Sequence, residues 1–258
     1  MLNVALNGAC GKMGRMISEA LTRDPDTRLS AAIDSPRHPE AGREYAEKIP
    51  LLSAVPESGF DVLIDFSTAK ACRETIEICA KQGIPVVVGT TGLSPDFLKM
   101  VRDDAARKIP VLISPNMSLG VNLIFRIAAQ IAASLGKGYD LEIIEKHHRF
   151  KKDAPSGTAL KIASEIAEKT GKKAEDTFVF GRRGEEAERR PGSIGIHAVR
   201  AGDIVGEHTV LYSTIGETIE LTHRAHTRDN FAVGAVQAAK FVARATPGYY
   251  SMQDVLES

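Results

Sequence analysis

Over residues 1–115, short apolar runs alternate with longer stretches in which apolar residues recur every three or four positions. The runs Asn3–Asn7, Leu29–Asp34, Asp61–Phe66, Ile84–Val88 and Pro110–Ile113 read as strands buried on both faces. The periodic stretches 12–22, 69–82 and 95–107 read as the helices between them, with Pro and Gly at joints such as Gly83-Ile84-Pro85. Strand and helix in alternation predict a parallel sheet covered on both sides.

From residue 118 the pattern changes. Residues 119–135 predict a helix in which Asn122, Arg126 and Gln130 recur every four positions as a polar stripe, which argues for an amphipathic helix and not a membrane span. Asp140–Lys146 predicts a strand, and Ala159–Thr170 a helix ended by Gly171. Residues 172–192, charged and rich in Gly and Arg, predict a loop. The runs Ser193–Arg200, Glu207–Ile215 and Thr218–Arg224, separated by Gly202-Asp203 and Gly216-Glu217, predict an antiparallel or mixed sheet in a second, α+β domain. A last helix, Asn230–Arg244, and a short segment at 251–257 are expected to return to the first domain. The organisation expected is 1–117, 118–226 and a returning 227–258.

Lys plus Arg and Asp plus Glu balance at 33 each, which argues against a nucleic-acid partner. The first strand pattern begins too early for a signal peptide ahead of it, so a cytoplasmic protein is expected. Cys10, Cys72 and Cys79 are odd in number and lack metal or redox spacing.

The first strand runs into Gly8-Ala9-Cys10-Gly11-Lys12-Met13-Gly14, followed by a helix pattern. Strand, glycine turn and helix are the context a dinucleotide pyrophosphate needs, because glycines admit its close approach and the helix supplies N–H donors. Asp34, at the end of the second strand, is placed to accept from ribose hydroxyls. Gly89-Thr90-Thr91-Gly92 and Ser114-Pro115-Asn116-Met117 follow the fourth and fifth strands, at the same sheet edge. Together these predict a doubly wound, Rossmann-like domain that binds NADH, NADPH or both.

The second cluster of chemistry is His147-His148-Arg149-Phe150-Lys151-Lys152-Asp153-Ala154-Pro155-Ser156-Gly157-Thr158. Imidazole and ammonium groups deliver protons when their pKa values are tuned. Asp153 or Ser156 reads as a helix cap, with Pro155 in or near the first turn, so N–H groups at Gly157 and Thr158 would face an anion. The plainer reading is a solvated basic loop before an ordinary helix. His147 and His148 are adjacent and no H-E-x-x-H pattern occurs, so no catalytic metal is expected. His197, His208, His223 and His226 read as strand or interface residues.

These runs, together with Glu145-Lys146 directly ahead of His147 and with Val199-Arg200-Ala201-Gly202-Asp203-Ile204-Val205-Gly206-Glu207-His208-Thr209, resemble the 4-hydroxy-tetrahydrodipicolinate reductase (dihydrodipicolinate reductase) family along the whole chain. The resemblance implies a nucleotide domain, a substrate domain and a homotetramer built through the substrate-domain sheets. It puts His147 and Lys151 at proton-donor positions and His148, Gly157 and Thr158 at substrate-binding positions. It puts Gly8, Ala9, Cys10, Gly11, Lys12, Met13, Asp34, Gly89, Thr90, Thr91, Ser114, Pro115, Asn116 and Met117 against the cofactor. The substrate implied is a small cyclic dicarboxylate, reduced with loss of water on the way to diaminopimelate and lysine. Ser35 departs from members that carry arginine after the ribose acid. The competing readings are another two-domain dehydrogenase of a small carboxylate and a non-catalytic dinucleotide-binding regulator. The latter has no use for the His-His-Arg-Phe-Lys cluster. A semialdehyde dehydrogenase would need a cysteine nucleophile in its second domain, and all three cysteines precede residue 80.

Overall fold

The computed structural model describes residues 1–46 and 49–258. The chain divides into two compact units, Met1–Leu119 with Asp229–Ser258, and Gly120–Arg228.

In chain order the elements begin with β1 (Leu2–Asn7), α1 (Lys12–Arg23), β2 (Thr27–Ile33), β3 (Leu51–Leu52), β4 (Val62–Asp65), α2 (Ala69–Gln82), β5 (Val86–Val88), α3 (Pro95–Asp103) and β6 (Pro110–Ile113). The second unit holds α4 (Leu119–Leu135) almost entirely, then β7 (Asp140–His147), α5 (Gly157–Lys169), α6 (Ala174–Thr177), β8 (Phe178–Phe180), β9 (Ile194–Arg200), β10 (Gly206–Thr214) and β11 (Glu217–Ala225). The chain then returns with α7 (Asp229–Val242), β12 (Gly248–Tyr250) and α8 (Met252–Glu257).

The first sheet is parallel throughout, in the order β12-β6-β5-β4-β1-β2-β3. Period-two alternation divides its side chains between two cores. On β1, Val4 and Leu6 join Ile17 and Leu21 of α1 and Ala235, Ala239 and Val242 of α7. Ala5, between them, joins Cys72 and Ile76 of α2 and Phe97 and Val101 of α3 on the other face.

The second sheet is mixed, in the order β11-β10-β7-β9-β8. Its β7 runs parallel to β9 and antiparallel to β10. Leu141 and Ile143 of β7 pack on Ala159, Ile162, Ala163 and Ile166 of α5 and on Val121, Ile124, Phe125, Ala128 and Ala132 of α4. Positions i, i+3, i+4 and i+7 of α5 make one apolar stripe, which is why that stretch is a helix and why it lies on this sheet. Tyr212 is fully buried and donates its hydroxyl to the Ala128 carbonyl at 2.8 Å.

Several expectations are corrected. Residues 172–192 are not all loop: they contain α6 and β8, and β8 pairs in parallel with β9. Phe178-Val179-Phe180 is a short β-favouring run whose signal the surrounding charges hide. The helix expected over 95–107 ends at Asp103 and is followed by a tighter turn at Ala105–Arg107, because Asp104 leaves helical geometry at ψ −65° with φ −123°. β3 and β12 have two and three residues, too short to show a period, yet they form the edges of the first sheet. The polar stripe of α4 is incomplete. Asn122 is buried and Leu123 is exposed, leaving Gln130 as its exposed member. Residues Leu119–Gly138 are long and apolar enough to cross a membrane by length and composition, and α4 turns Val121, Ile124, Phe125, Ala128 and Ala132 into the core of its own unit.

Candidate functional site

The glycine loop of the first unit is shaped by steric necessity. Gly8 has φ +81°, and a Cβ there would stand 2.3 Å from the Phe66 carbonyl oxygen. A Cβ on Gly14 would stand 2.1 Å from the Gly8 carbonyl oxygen, so backbone passes where any side chain would be. Gly11 caps α1 without a side-chain hydrogen bond, and the first turn of α1 has no acid. By contrast Thr68, Ser94, Ser156 and Ser251 cap α2, α3, α5 and α8 with their side chains. The N-terminus of α1 therefore keeps its positive end for an external anion. Asp34 ties the loop down, accepting from the N–H groups of Cys10 and Ser35 at 2.8 Å each. These features fit a dinucleotide: a cradle closed to side chains, an uncapped helix start and a carboxylate beside it. Lys12 and Met13 occupy the first turn, Lys12 exposed and Met13 half-buried.

The other two loops lie at the carboxyl ends of β5 and β6. A Cβ on Gly89 would collide with the Phe66 ring at 2.1 Å. Thr90 is buried and donates its hydroxyl to Asp65 Oδ1, while Thr91 is exposed. Asp65, fully buried, also accepts from Asn7 Nδ2 at 2.9 Å and from the Ser67 hydroxyl at 2.8 Å, so this polar network braces three strand ends from beneath. Ser114 donates to the Asn116 carbonyl at 2.7 Å, and Pro115 is exposed. Met117 is packed in the core, where its carbonyl passes over Gly234 of α7. Thr90 and Met117 thus have side chains committed inward, and they can meet a cofactor only through their backbone.

In the second unit the site grows from one buried carboxylate. Along β7, Leu141, Ile143, Glu145 and His147 share the helix-covered face, which places Glu145 in the core with no exposed surface. Such a charge needs partners. Arg200 grips it with both terminal guanidinium nitrogens at 2.8 Å, since β7–β9 pairing sets Arg200 opposite His147. The Ser156 N–H donates to Oε1 at 3.0 Å, and His147 Nδ1 lies 2.6 Å from Oε2. Burial opposes the charge on Glu145, but the hydrogen bonds from Arg200, His147 and Ser156 prevail and lower its pKa. An ionised carboxylate only accepts, so His147 carries a proton on Nδ1, and its Nε2 is a lone pair in the neutral ring.

Burial first, then the cations Lys151 and Arg200, lower the pKa of His147 against the pull of Glu145. His208, with its ring centroid 5.2 Å from that of His147, is pushed down to about 3, by burial first and then by His147. Its Nε2 lies 3.0 Å from the Ser156 hydroxyl, which also accepts from the Ala159 N–H and so caps α5. Lys151 pairs with Asp153 at 2.9 Å. The cap is therefore Ser156 and not Asp153, and Pro155 precedes it, outside the first turn. Gly157 and Thr158 open α5. His148 Nδ1 is buried without a hydrogen-bond partner.

His147, Lys151, Gly157 and Thr158 are thus gathered around Glu145 and the start of α5. The sequence gives no sign of a role in this cluster for Arg200 or His208, and it marks Ser156 only as one of two candidate caps. A signal existed for Glu145: a carboxylate in phase with the apolar positions of a strand must find a buried cation. Two of the four arginines of 172–192 share one partner. Arg182, Arg189 and His197 converge on Glu142, on the opposite face of β7. Cys72 and Cys79 are buried, and burial first, then Asp65, raises both thiols. Cys10 is half-buried and lies with His38 and Glu40.

The family model for the N-terminal part of dihydrodipicolinate reductase matches residues 2–117, and that for its C-terminal part matches residues 120–256. The 4-hydroxy-tetrahydrodipicolinate reductase of Syntrophus aciditrophicus is 44% identical, with 99% of this chain and 98% of that protein aligned. That of Hahella chejuensis is also 44% identical, over 99% of each chain. A solved dihydrodipicolinate reductase from Paenisporosarcina sp. TG-14, bound to dipicolinate, shares the fold with a TM-score of 0.79 at 24% identity, over 97% of both chains.

Proposed function

This chain belongs to the dihydrodipicolinate reductase family, and from that premise we propose how its residues divide the work. It is an NAD(P)H-dependent oxidoreductase that reduces 4-hydroxy-tetrahydrodipicolinate to tetrahydrodipicolinate, with loss of water, in diaminopimelate and L-lysine synthesis. Bound nicotinamide supplies the hydride.

The loop Gly8 to Met13, with Asp34, holds the dinucleotide. The backbones of Gly89 to Thr91 and Ser114 to Met117 line the same sheet edge. One substrate carboxylate rests at the start of α5 by Gly157 and Thr158, with His148 beside it. Lys151 carries the proton that quenches the electron pair left by hydride addition. His147, held neutral on Glu145, orients the ring and passes a proton once a bound dicarboxylate sets negative charge against the burial and the cations that depress it. The observation that carries this reading is the buried Glu145 holding the His147 tautomer next to Lys151.

The finer expectations complete the proposal: both NADH and NADPH serve, the chains assemble as a homotetramer through the second sheet, and the enzyme works in the cytoplasm. Asp34 favours a free ribose, while Lys12 and Arg37 offset its repulsion of a 2′-phosphate. The test is oxidation of each reduced cofactor by the freshly made condensation product of pyruvate and aspartate semialdehyde. Values of kcat/KM within about tenfold of each other are expected. A difference of about a thousandfold refutes dual use, and no turnover with either cofactor refutes the reading. Light scattering at micromolar concentration should report four chains; a 27.8 kDa particle would refute the tetramer.

A further inference from the structure

We propose that Cys10, His38 and Glu40 form a zinc site which, when filled, closes the dinucleotide cradle. One ligand atom from each residue lies within 4.8 Å of the others. The set is a thiol, an imidazole and a carboxylate, the mixture that suits Zn²⁺ with water in the fourth position. Magnesium and calcium prefer all-oxygen shells.

The three residues come from two loops with defined backbones. Cys10 sits in the glycine loop, its N–H on Asp34 Oδ2. His38 and Glu40 lie beyond β2 in a turn held by His38 N–H to the Ser35 carbonyl at 2.8 Å and Ala41 N–H to the His38 carbonyl at 3.0 Å. The Glu40 N–H points at His38 Nδ1, at 3.3 Å. Asp34 adds a further negative charge next to Cys10. The Arg15 guanidinium that meets Glu40 at 3.7 Å is largely exposed, and such a surface pair opens at little cost. Cys10 and His38 are half-buried and Glu40 is exposed, so an ion has access from solvent.

Binding is a ligand exchange without redox change. The metal gains a bond to Sγ, the thiol proton leaves to water, and hydration waters depart. A filled site joins the glycine loop to the turn after Asp34, across the place proposed for the ribose. This antagonism rests on the dinucleotide reading of the loop; the metal site does not.

The test titrates the full chain with Co²⁺, whose thiolate charge-transfer band reports a Co–S bond, and then displaces it with Zn²⁺. The wild type should show the band with a single Co²⁺ per chain, and His38→Ala and Glu40→Gln should weaken binding by at least about tenfold. NADH binding, followed by its fluorescence, should weaken with Zn²⁺ in the wild type and not in His38→Ala, while the two bind NADH alike without metal. Absence of the band, or a band unchanged in both variants, overturns the site. Unaltered NADH affinity with the zinc site filled overturns the antagonism. Failure of the metal-free protein to bind NADH overturns the dinucleotide reading and the antagonism with it, and the cobalt band still decides the metal site.

Discussion

The two sheets solve opposite problems with opposite means. The parallel sheet of the first unit ends in loops whose geometry is set by missing side chains. Gly8, Gly14 and Gly89 each leave space that backbone or an aromatic ring occupies. Its buried polar group, Asp65, is satisfied by neutral donors of Asn7, Ser67 and Thr90. The mixed sheet of the second unit instead sets its carboxylates against cations. Glu145 is held by a guanidinium, an imidazole and a helix cap, and Glu142, across the sheet, by two arginines and an imidazole. Backbone shape suits a ligand held by its pyrophosphate, whatever the chemistry; paired charges suit the movement of a proton. One unit should therefore govern affinity for the cofactor and the other turnover.

The strongest break of that comparison lies in the second unit. Lys151→Ala and His147→Ala should each lower kcat by about 10²–10⁴, the usual cost of losing a positioned proton donor, with NADH affinity nearly unchanged. Lys151→Ala should also raise KM, because its ammonium would pair with a substrate carboxylate. Lys152→Ala, at an exposed neighbour, should change little. Steady-state kinetics with a separate NADH titration would sink the division of labour if NADH binding fell while kcat held.

A smaller effect sharpens the cost of burying charge beside imidazoles. His208 has a folded pKa of about 3, below the about 6.5 of the unfolded chain. A depressed value means the folded state binds fewer protons, so the stability it contributes is complete above about 6.5 and is lost as pH falls toward about 3. Between pH 6.5 and 5 that loss amounts to about 1.6 kcal/mol. His208→Gln, whose amide can still meet Ser156, should remove most of this slope in urea unfolding at each pH. An unchanged slope would show that His208 is not the group responsible.

The smallest effect belongs to the first unit. Gly14→Ala puts a methyl 2.1 Å from the Gly8 carbonyl oxygen, a contact that backbone must move to relieve. NADH affinity should fall by about tenfold, near 1.4 kcal/mol, with kcat at saturating cofactor retained. A fall in saturated kcat with unaltered affinity would reverse the assignment of roles.

Much of this was legible in the sequence because it is local. The strand–glycine–helix run at 3–22 and the apolar stripe of α5 depend on neighbours within a few positions, and both appear as expected. β8 was hidden because its three residues lie among charges, and β12 because three residues carry no period. In the sequence His208 reads as a strand or interface residue, and it lies in β10; that it lies beside His147 follows from β7–β10 pairing, which sets it opposite Glu145.

By itself the sequence determined the alternation of elements, the glycine turn, a capped helix start between Asp153 and Thr158 and the family to which these motifs point. Only the tertiary structure decided which charges meet. Arg200 reaches Glu145 across 55 positions, Arg182 reaches Glu142 across 40, and Asn7 reaches Asp65 across 58. His38 and Glu40 come to Cys10 only because β2 lies beside β1. Local propensity follows from the steric and hydrogen-bonding preferences of adjacent residues. These meetings follow from strand order and register, which the whole core sets at once.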